Sequence, residues 1–89
     1  MLHDDVAKDT GKVLPDQRVA LYRDPRGELH ALSSVCTHMA CDVGWNDQDK
    51  VWDCPCHGSR FSPAGDVLRG PAARPLPRVD IPEDPAKPP

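Results

Sequence analysis

Two short stretches of the sequence carry residue types that bind metal ions. Residues 36–41 read Cys-Thr-His-Met-Ala-Cys, and residues 54–59 read Cys-Pro-Cys-His-Gly-Ser. Together they contain all four cysteines of the chain and two of its four histidines. Thiolates and imidazoles are soft or borderline ligands for transition metals. The chain between the two stretches is long enough for a hairpin that brings them face to face, so the pattern predicts a metal site built from two loops.

Each stretch pairs a cysteine with a histidine. Cys36 and His38 are two positions apart in an expected loop, so their side chains can hold one site from the same side. Cys54 and His57 are three positions apart, with a proline and a glycine nearby to set the turn. The two loops therefore offer two thiolates and two imidazoles to one metal centre.

The pattern Cys36-x-His38 with Cys54-x-x-His57 resembles the ligand set of the Rieske iron–sulfur proteins. In that family two cysteines hold one iron of a [2Fe-2S] cluster and two histidines hold the other. The resemblance implies that Cys36 and Cys54 ligate the inner iron, and that His38 and His57 ligate the outer iron nearer solvent. It also implies one-electron transfer, by an electron-transfer protein or domain that is not itself an enzyme.

The resemblance extends to residues around the implied cluster. Cys41 and Cys56 fall at the positions of a disulfide that ties the two loops in the high-potential branch of the family. Ser59, after Gly58, matches a serine that donates a hydrogen bond to a bridging sulfide. Pro71 lies in a Gly-Pro-Ala-Ala stretch that resembles the family's proline-containing loop, which covers the cluster from a third side.

A narrower likeness concerns the redox partner. Residues 19–24, 29–33, 45–47 and 52–61 are similar to the C-terminal Rieske domain of FAD-dependent oxidoreductases. This likeness implies a flavoprotein partner and a soluble, cytoplasmic protein. The alternative is the cluster domain of a quinol-oxidising cytochrome complex. We expect it less, because the sequence shows no membrane anchor and because Phe61 stands where high-potential members often carry a tyrosine that donates a second hydrogen bond.

Two further interpretations of the cysteines remain to be weighed. A Cys2His2 set is also a zinc site, which would make the chain a structural binding module. This reading leaves Cys41 and Cys56 without a role. Four cysteines can also form two disulfides, as in small secreted proteins, but no secretion signal is visible in the sequence. Metal analysis separates the zinc reading from the iron–sulfur reading.

Composition predicts the elements that position these loops. The 89 residues include eleven prolines and six glycines among short apolar runs, which favours a small all-β domain with many turns. With the family resemblance, we expect an antiparallel β-sandwich with a cluster-binding subdomain of two loops plus a proline loop. We assign residues 11–81 to this domain, residues 1–10 to a flexible segment and residues 82–89 to a disordered proline-rich tail.

Individual strands are predicted from alternation and turns. Residues 18–23 and 28–32 form a hairpin, residues 50–53 enter the second loop, and residues 76–79 form a final edge strand. Trp45 and Trp52 are expected to pack the core beneath the metal site. The net charge of −3, without a run of basic residues, argues against a nucleic-acid partner.

Overall fold

The computed structural model describes residues 6–37, 41–56 and 58–81. These residues form seven β-strands and no helix, so the all-β prediction is confirmed. Consequently no helix long and apolar enough to cross a membrane occurs in this part of the chain. The strands are β1 Thr10–Leu14, β2 Val19–Arg23, β3 Leu29–Ser33, β4 Gly44–Asn46, β5 Val51–Asp53, β6 Arg60–Phe61 and β7 Val67–Arg69. They make two antiparallel sheets, β1-β2-β3 and β4-β5-β6-β7.

Strand β2 is the centre of the three-stranded sheet and is covered on both faces. Because successive strand residues point to opposite faces, Ala20 and Tyr22 enter one hydrophobic cluster while Val19 and Leu21 enter another. The second cluster includes Val6, which is 2 % exposed and lies in the segment predicted as flexible. The domain boundaries drawn from sequence remain predictions, since residues 1–5 and 82–89 lie outside the described chain.

The four-stranded sheet carries the largest buried side chains. Trp52 lies opposite both Trp45 and Phe61 in the ladders, and Trp52 and Phe61 are fully buried. The two indole rings meet edge to face, with centroids 4.9 Å apart, which is a favourable aromatic geometry. The two tryptophans therefore pack the core, as predicted.

The first and last strand assignments differ between sequence and structure. Strand β1 was not expected, because Thr10–Leu14 shows no clear alternation of apolar and polar residues. The predicted final strand 76–79 is reduced to an isolated bridge between Leu32 and Arg78. Pro77 accepts a hydrogen bond from Ser33 N through its carbonyl but has no N–H to give back, so a regular ladder cannot continue there.

The two sheets meet where β1 crosses β4, and Gly11 permits the contact. A Cβ atom on Gly11 would lie 2.6 Å from Cδ2 of Trp45 and 2.7 Å from Cη2 of Trp52. Lys50 supports the same junction, since its Nζ donates to the carbonyl of Asp9 and to the carboxylate of Asp47, both at 2.9 Å.

We expect Gly11→Ala to destabilise the fold by about 1–3 kcal/mol, because the added methyl must displace two packed indoles. Gly44→Ala is the matched control, because a Cβ there meets no atom within 4 Å. Chemical denaturation of the two holo-proteins measures both effects. Equal stability of the two variants would contradict the assignment of Gly11 to the sheet junction.

Candidate metal centre

The first loop leaves the three-stranded sheet after Ser33 and is closed by backbone hydrogen bonds at its base. Cys36 N donates to the carbonyl of Cys41 at 2.7 Å, and Val43 N donates to the carbonyl of Ser34 at 2.8 Å. These bonds return the chain to its starting point, and Cys36 is held inside with 3 % exposure. The loop therefore fixes one buried thiol at the end of the sheet.

The second loop connects β5 to β6 and is tighter. Cys54 N donates to the carbonyl of Ser59 at 2.8 Å, and Gly58 N donates to the carbonyl of Cys54 at 3.0 Å. Gly58 has a φ of 80°, a conformation that glycine adopts without strain. Cys54 is 2 % exposed, so this loop also presents a thiol to the interior.

A disulfide between Cys41 and Cys56 joins the two loops, with Cα atoms 6.5 Å apart. This confirms the predicted pairing. Cys36 and Cys54 lie outside the disulfide as buried thiols, which contradicts the two-disulfide alternative. Both belong to the same hydrophobic cluster, against which Cys41 packs. The structure thus brings all four cysteines together.

The two histidines predicted as ligands, His38 and His57, lie outside the described residues, as do Met39 and Ala40. Within the described ranges, no group of three or more Cys, His or carboxylate side chains is arranged as a metal site. The donors that the structure does describe are the thiols of Cys36 and Cys54. Their chemistry suits iron–sulfur clusters, whose irons bind thiolate sulfur, so this part of the predicted ligand set fits the group.

The proline loop forms the third wall through two hydrogen bonds. Ala72 N donates to Oγ of the fully buried Ser59 at 3.1 Å, and Oγ1 of Thr37 donates to the carbonyl of Arg74 at 2.7 Å. Because Ser59 Oγ acts here as an acceptor, its own hydrogen stays available to a further partner. Pro71 is exposed while Ala72 is buried. Neither hydrogen bond was predicted from the sequence.

An arginine–aspartate pair supports each of the two loops. Beside the first loop, Asp42 Oδ1 lies 3.1 Å from Arg18 Nε and accepts a hydrogen bond from Ser34 Oγ at 3.1 Å. Before the second loop, Asp53 Oδ1 lies 2.9 Å from Arg60 Nε. That contact has ion-pair distance without hydrogen-bond geometry, and among the described residues Asp53 Oδ1 has no hydrogen-bond partner.

The described groups with shifted pKa values lie outside the two loops. Burial raises the pKa of Tyr22 to about 12, and a hydrogen bond to a neighbouring carboxylate acts in the same direction. The hydrogen bond from His30 lowers the pKa of Asp24. The hydrogen bond between Asp47 and Lys50 lowers the pKa of the acid and raises that of the base. Tyr22 lies in the core of the three-stranded sheet, and the other shifted groups belong to pairs that hold turns and the sheet junction.

The two buried thiols, held by loops that a disulfide links, fit an iron–sulfur domain. The Rieske [2Fe-2S] domain family matches residues 1–80, and the chain belongs to it. As a member it binds a [2Fe-2S] cluster and transfers electrons, and such proteins are electron-transfer subunits or domains rather than enzymes.

Several known proteins are similar to this chain. The Bacillus subtilis putative Rieske 2Fe-2S iron-sulfur protein YhfW is 45 % identical over 80 residues, covering 88 % of this chain and 16 % of its own length. A cytochrome b6-f complex iron-sulfur subunit 3 of Nostoc is 52 % identical over 59 residues, covering 61 % of this chain and 33 % of its own. The chain thus spans a third or less of these two relatives.

Solved structures agree with this assignment. The cyanobacterial plasma membrane Rieske protein PetC3 from Synechocystis superposes with a TM-score of 0.66 at 36 % identity, covering 78 % of this chain and 71 % of that one. A chain of a hyperthermophilic respiratory complex III superposes with a TM-score of 0.70 at 30 % identity, covering 93 % and 64 %.

The comparisons correct one expectation and leave another open. The predicted cytoplasmic location is wrong, because the relatives include subunits of cytochrome b6-f complexes, a plasma membrane Rieske protein and a respiratory complex III. The family assignment is confirmed. The narrower likeness to FAD-dependent oxidoreductases is not established, because the names of these relatives mention no flavin.

We expect Ser59→Ala to destabilise the proline loop by about 1–3 kcal/mol, because it leaves the buried Ala72 N–H without its acceptor. The amide of Ala72 should then exchange its hydrogen about tenfold faster or more. Ser62→Ala is the control, because Ser62 Oγ accepts from Asp66 N at an exposed position where water can replace it. Unchanged exchange at Ala72 in the Ser59 variant would refute this role.

Proposed function

We propose that Cys36 and Cys54 ligate one iron of the [2Fe-2S] cluster, and that His38 and His57 ligate the other. The support is that the two cysteines left outside the disulfide are both buried and share one cluster of side chains. The histidines follow from the motif spacing and the family. Gly58, Ser59 and Pro71 complete the proposal as residues that surround the cluster.

When bound, the cluster accepts and releases a single electron. The residues of the chain set the conditions for that exchange. Buried Ser59 keeps a hydroxyl hydrogen for an acceptor in the site while its oxygen holds the proline loop through Ala72. Thr37 closes the loop from the other end. These contacts hold the proline loop against both cysteine-containing loops, and water exposure and hydrogen bonding are among the properties that set a cluster's potential.

We further propose that the chain is the cluster domain of a quinol-oxidising cytochrome complex or a close counterpart. The observation that carries this is the 43–52 % identity to iron-sulfur subunits of cytochrome b6-f complexes, together with the superposition on a complex III chain. The chain spans a third or less of those subunits.

A second candidate is service to a flavin-dependent oxidoreductase. One observation favours it: the match to YhfW extends over 80 residues yet makes up 16 % of that protein. In that relative a domain of this kind is part of a much longer chain. The sequence likeness to C-terminal Rieske domains of FAD-dependent oxidoreductases points in the same direction.

The ligand set is tested by iron and sulfide content and by EPR of the reduced protein. We expect Cys36→Ser or Cys54→Ser to abolish the [2Fe-2S] content, and His38→Cys or His57→Cys to raise the low average g value of a histidine-ligated cluster. The control is Cys41→Ser with Cys56→Ser. It removes a disulfide across 15 residues and about 3 kcal/mol of stability, but any cluster it retains should keep the wild-type spectrum.

Bound zinc without visible colour, in protein from cells supplied with iron, would refute the iron–sulfur ligand set. An EPR spectrum that is unchanged in both histidine variants would refute the assignment of the outer iron.

The choice between the two candidates is tested by the midpoint potential. Quinol oxidation requires a midpoint potential above that of the quinone couple measured in the same electrochemical cell, and a value below it favours the flavin-linked candidate.

Phe61 is fully buried and has no hydroxyl to donate. We expect Phe61→Tyr to raise the potential by about 40 mV, for a hydrogen bond of about 1 kcal/mol. Phe61→Leu is the control, and an equal shift in both variants would contradict the hydrogen-bond argument.

A further inference from the structure

The proline loop and its flanks form an exposed surface of mixed apolar and cationic character. Residues 68–75, here called the 68–75 surface, read Leu-Arg-Gly-Pro-Ala-Ala-Arg-Pro, and all except Ala72 are exposed. Leu68 is 59 % exposed, the most exposed large apolar side chain among the described residues. The segment contains two arginines and no acid.

This surface adjoins the metal centre directly. Ala72 N donates to Ser59 Oγ in the second loop, and the carbonyl of Arg74 accepts from Thr37 Oγ1 in the first. A cleft of about 350 Å³ runs along the junction, lined by residues of both, including Cys36, Thr37 and Arg74. A molecule seated on the 68–75 surface therefore contacts the walls of the site itself.

The charges around the loops leave a local positive excess. Asp42 is matched by Arg18 and Asp53 by Arg60, at 3.1 Å and 2.9 Å. Arg69 and Arg74, in contrast, form no ion pair with any described residue. The turn before β7 contains one acid, Asp66, which lies at the opposite end of β7 from Arg69.

Arg69 also occupies a position that folding alone does not favour. It lies directly opposite Arg60 in the β6–β7 ladder, and like charges at directly opposed positions destabilise a sheet. The carboxylates near Arg60 are used by Arg60 itself, which contacts Asp49 at 3.2 Å as well as Asp53. Among the described residues, this second cation has no acidic partner, so its charge can match an acidic group on a docked molecule.

We propose that the 68–75 surface docks a redox protein whose own docking surface is acidic. The inference rests on the proposed electron-transfer function and adds the charge of the partner. The chain as a whole carries −3 and would repel such a partner, but a local cationic surface steers association at short range. A lipid headgroup has complementary charge too, yet it offers no redox centre to exchange an electron with the cluster.

The test compares two acceptors with the same haem and opposite charge: native cytochrome c, which is basic, and succinylated cytochrome c, which is acidic. Each is mixed with the reduced holo-protein at low ionic strength, and one electron passes from the cluster to the haem iron. We expect Arg69→Gln with Arg74→Gln to slow reduction of the succinylated form about threefold to tenfold, and added salt to remove the difference. Reduction of the native form should not slow.

The control is Arg26→Gln, which removes an exposed cation without a described ion pair from the β2–β3 turn. That turn lies at the opposite end of β3 from the first loop, so the control rates should equal those of the wild type. A second readout needs no electron transfer: the Kd between the oxidised holo-protein and oxidised succinylated cytochrome c, which should rise in the double variant by a similar factor.

Equal rates and equal Kd values in the double variant and the Arg26 control would overturn the proposal. It would also be overturned if the double variant lost only its binding to vesicles of phosphatidylcholine and phosphatidylglycerol, since the surface would then bind lipid. Iron content and midpoint potential of every variant are measured alongside. A potential that refutes quinol oxidation leaves the charge preference intact, and lost charge preference leaves the potential intact, so the two proposals fail separately.

Discussion

The bond between Cys41 and Cys56 connects the two loops directly, and the strands that lead from one loop to the other form only a short ladder. Strands β4 and β5 contribute three residue pairs between them, too few to fix the positions of the chain ends beyond the ladder. The disulfide spans those ends directly. With the loops fixed, the thiols of Cys36 and Cys54 are held inside the same hydrophobic cluster, and the proline loop has a stable surface to close upon.

The remaining core serves this arrangement with few large side chains. Trp52 and Phe61 are fully buried in the strands that flank the second loop. Trp45 packs against β1 at Gly11, where a side chain would clash with its ring. A chain of 89 residues buries a limited apolar area. Covalent cross-linking and a bound cluster therefore contribute a larger share of stability than they do in a bigger domain.

The sequence predicted the parts of the site that depend on residue type and spacing. Cys41 and Cys56 were paired correctly because the family motif specifies their positions, and the β2–β3 hairpin was visible in alternation around a Pro-containing turn. The contacts of Thr37 with Arg74 and of Ser59 with Ala72 could not be predicted, because a hydroxyl can bond to any backbone group that the fold brings near.

The misplaced strands have a similar cause. Thr10–Leu14 forms β1 through tertiary contact with the tryptophans of the other sheet rather than through its own pattern. The segment containing Pro77 does have an apolar pattern, but it lacks the N–H that a continuous ladder needs. Local pattern therefore located the strands that pack by alternation and failed where a distant residue or a missing donor decided the outcome.

Strand β7 is the outer edge of the four-stranded sheet, and its outer side has no neighbour among the described strands. An exposed edge strand can pair with a strand of a second chain. Natural proteins limit this pairing with short edge strands and charged side chains. Strand β7 is three residues long and ends in Arg69. An edge this short, with a charged residue at its end, offers little backbone for a second copy to pair with, so it discourages self-association beside the metal centre.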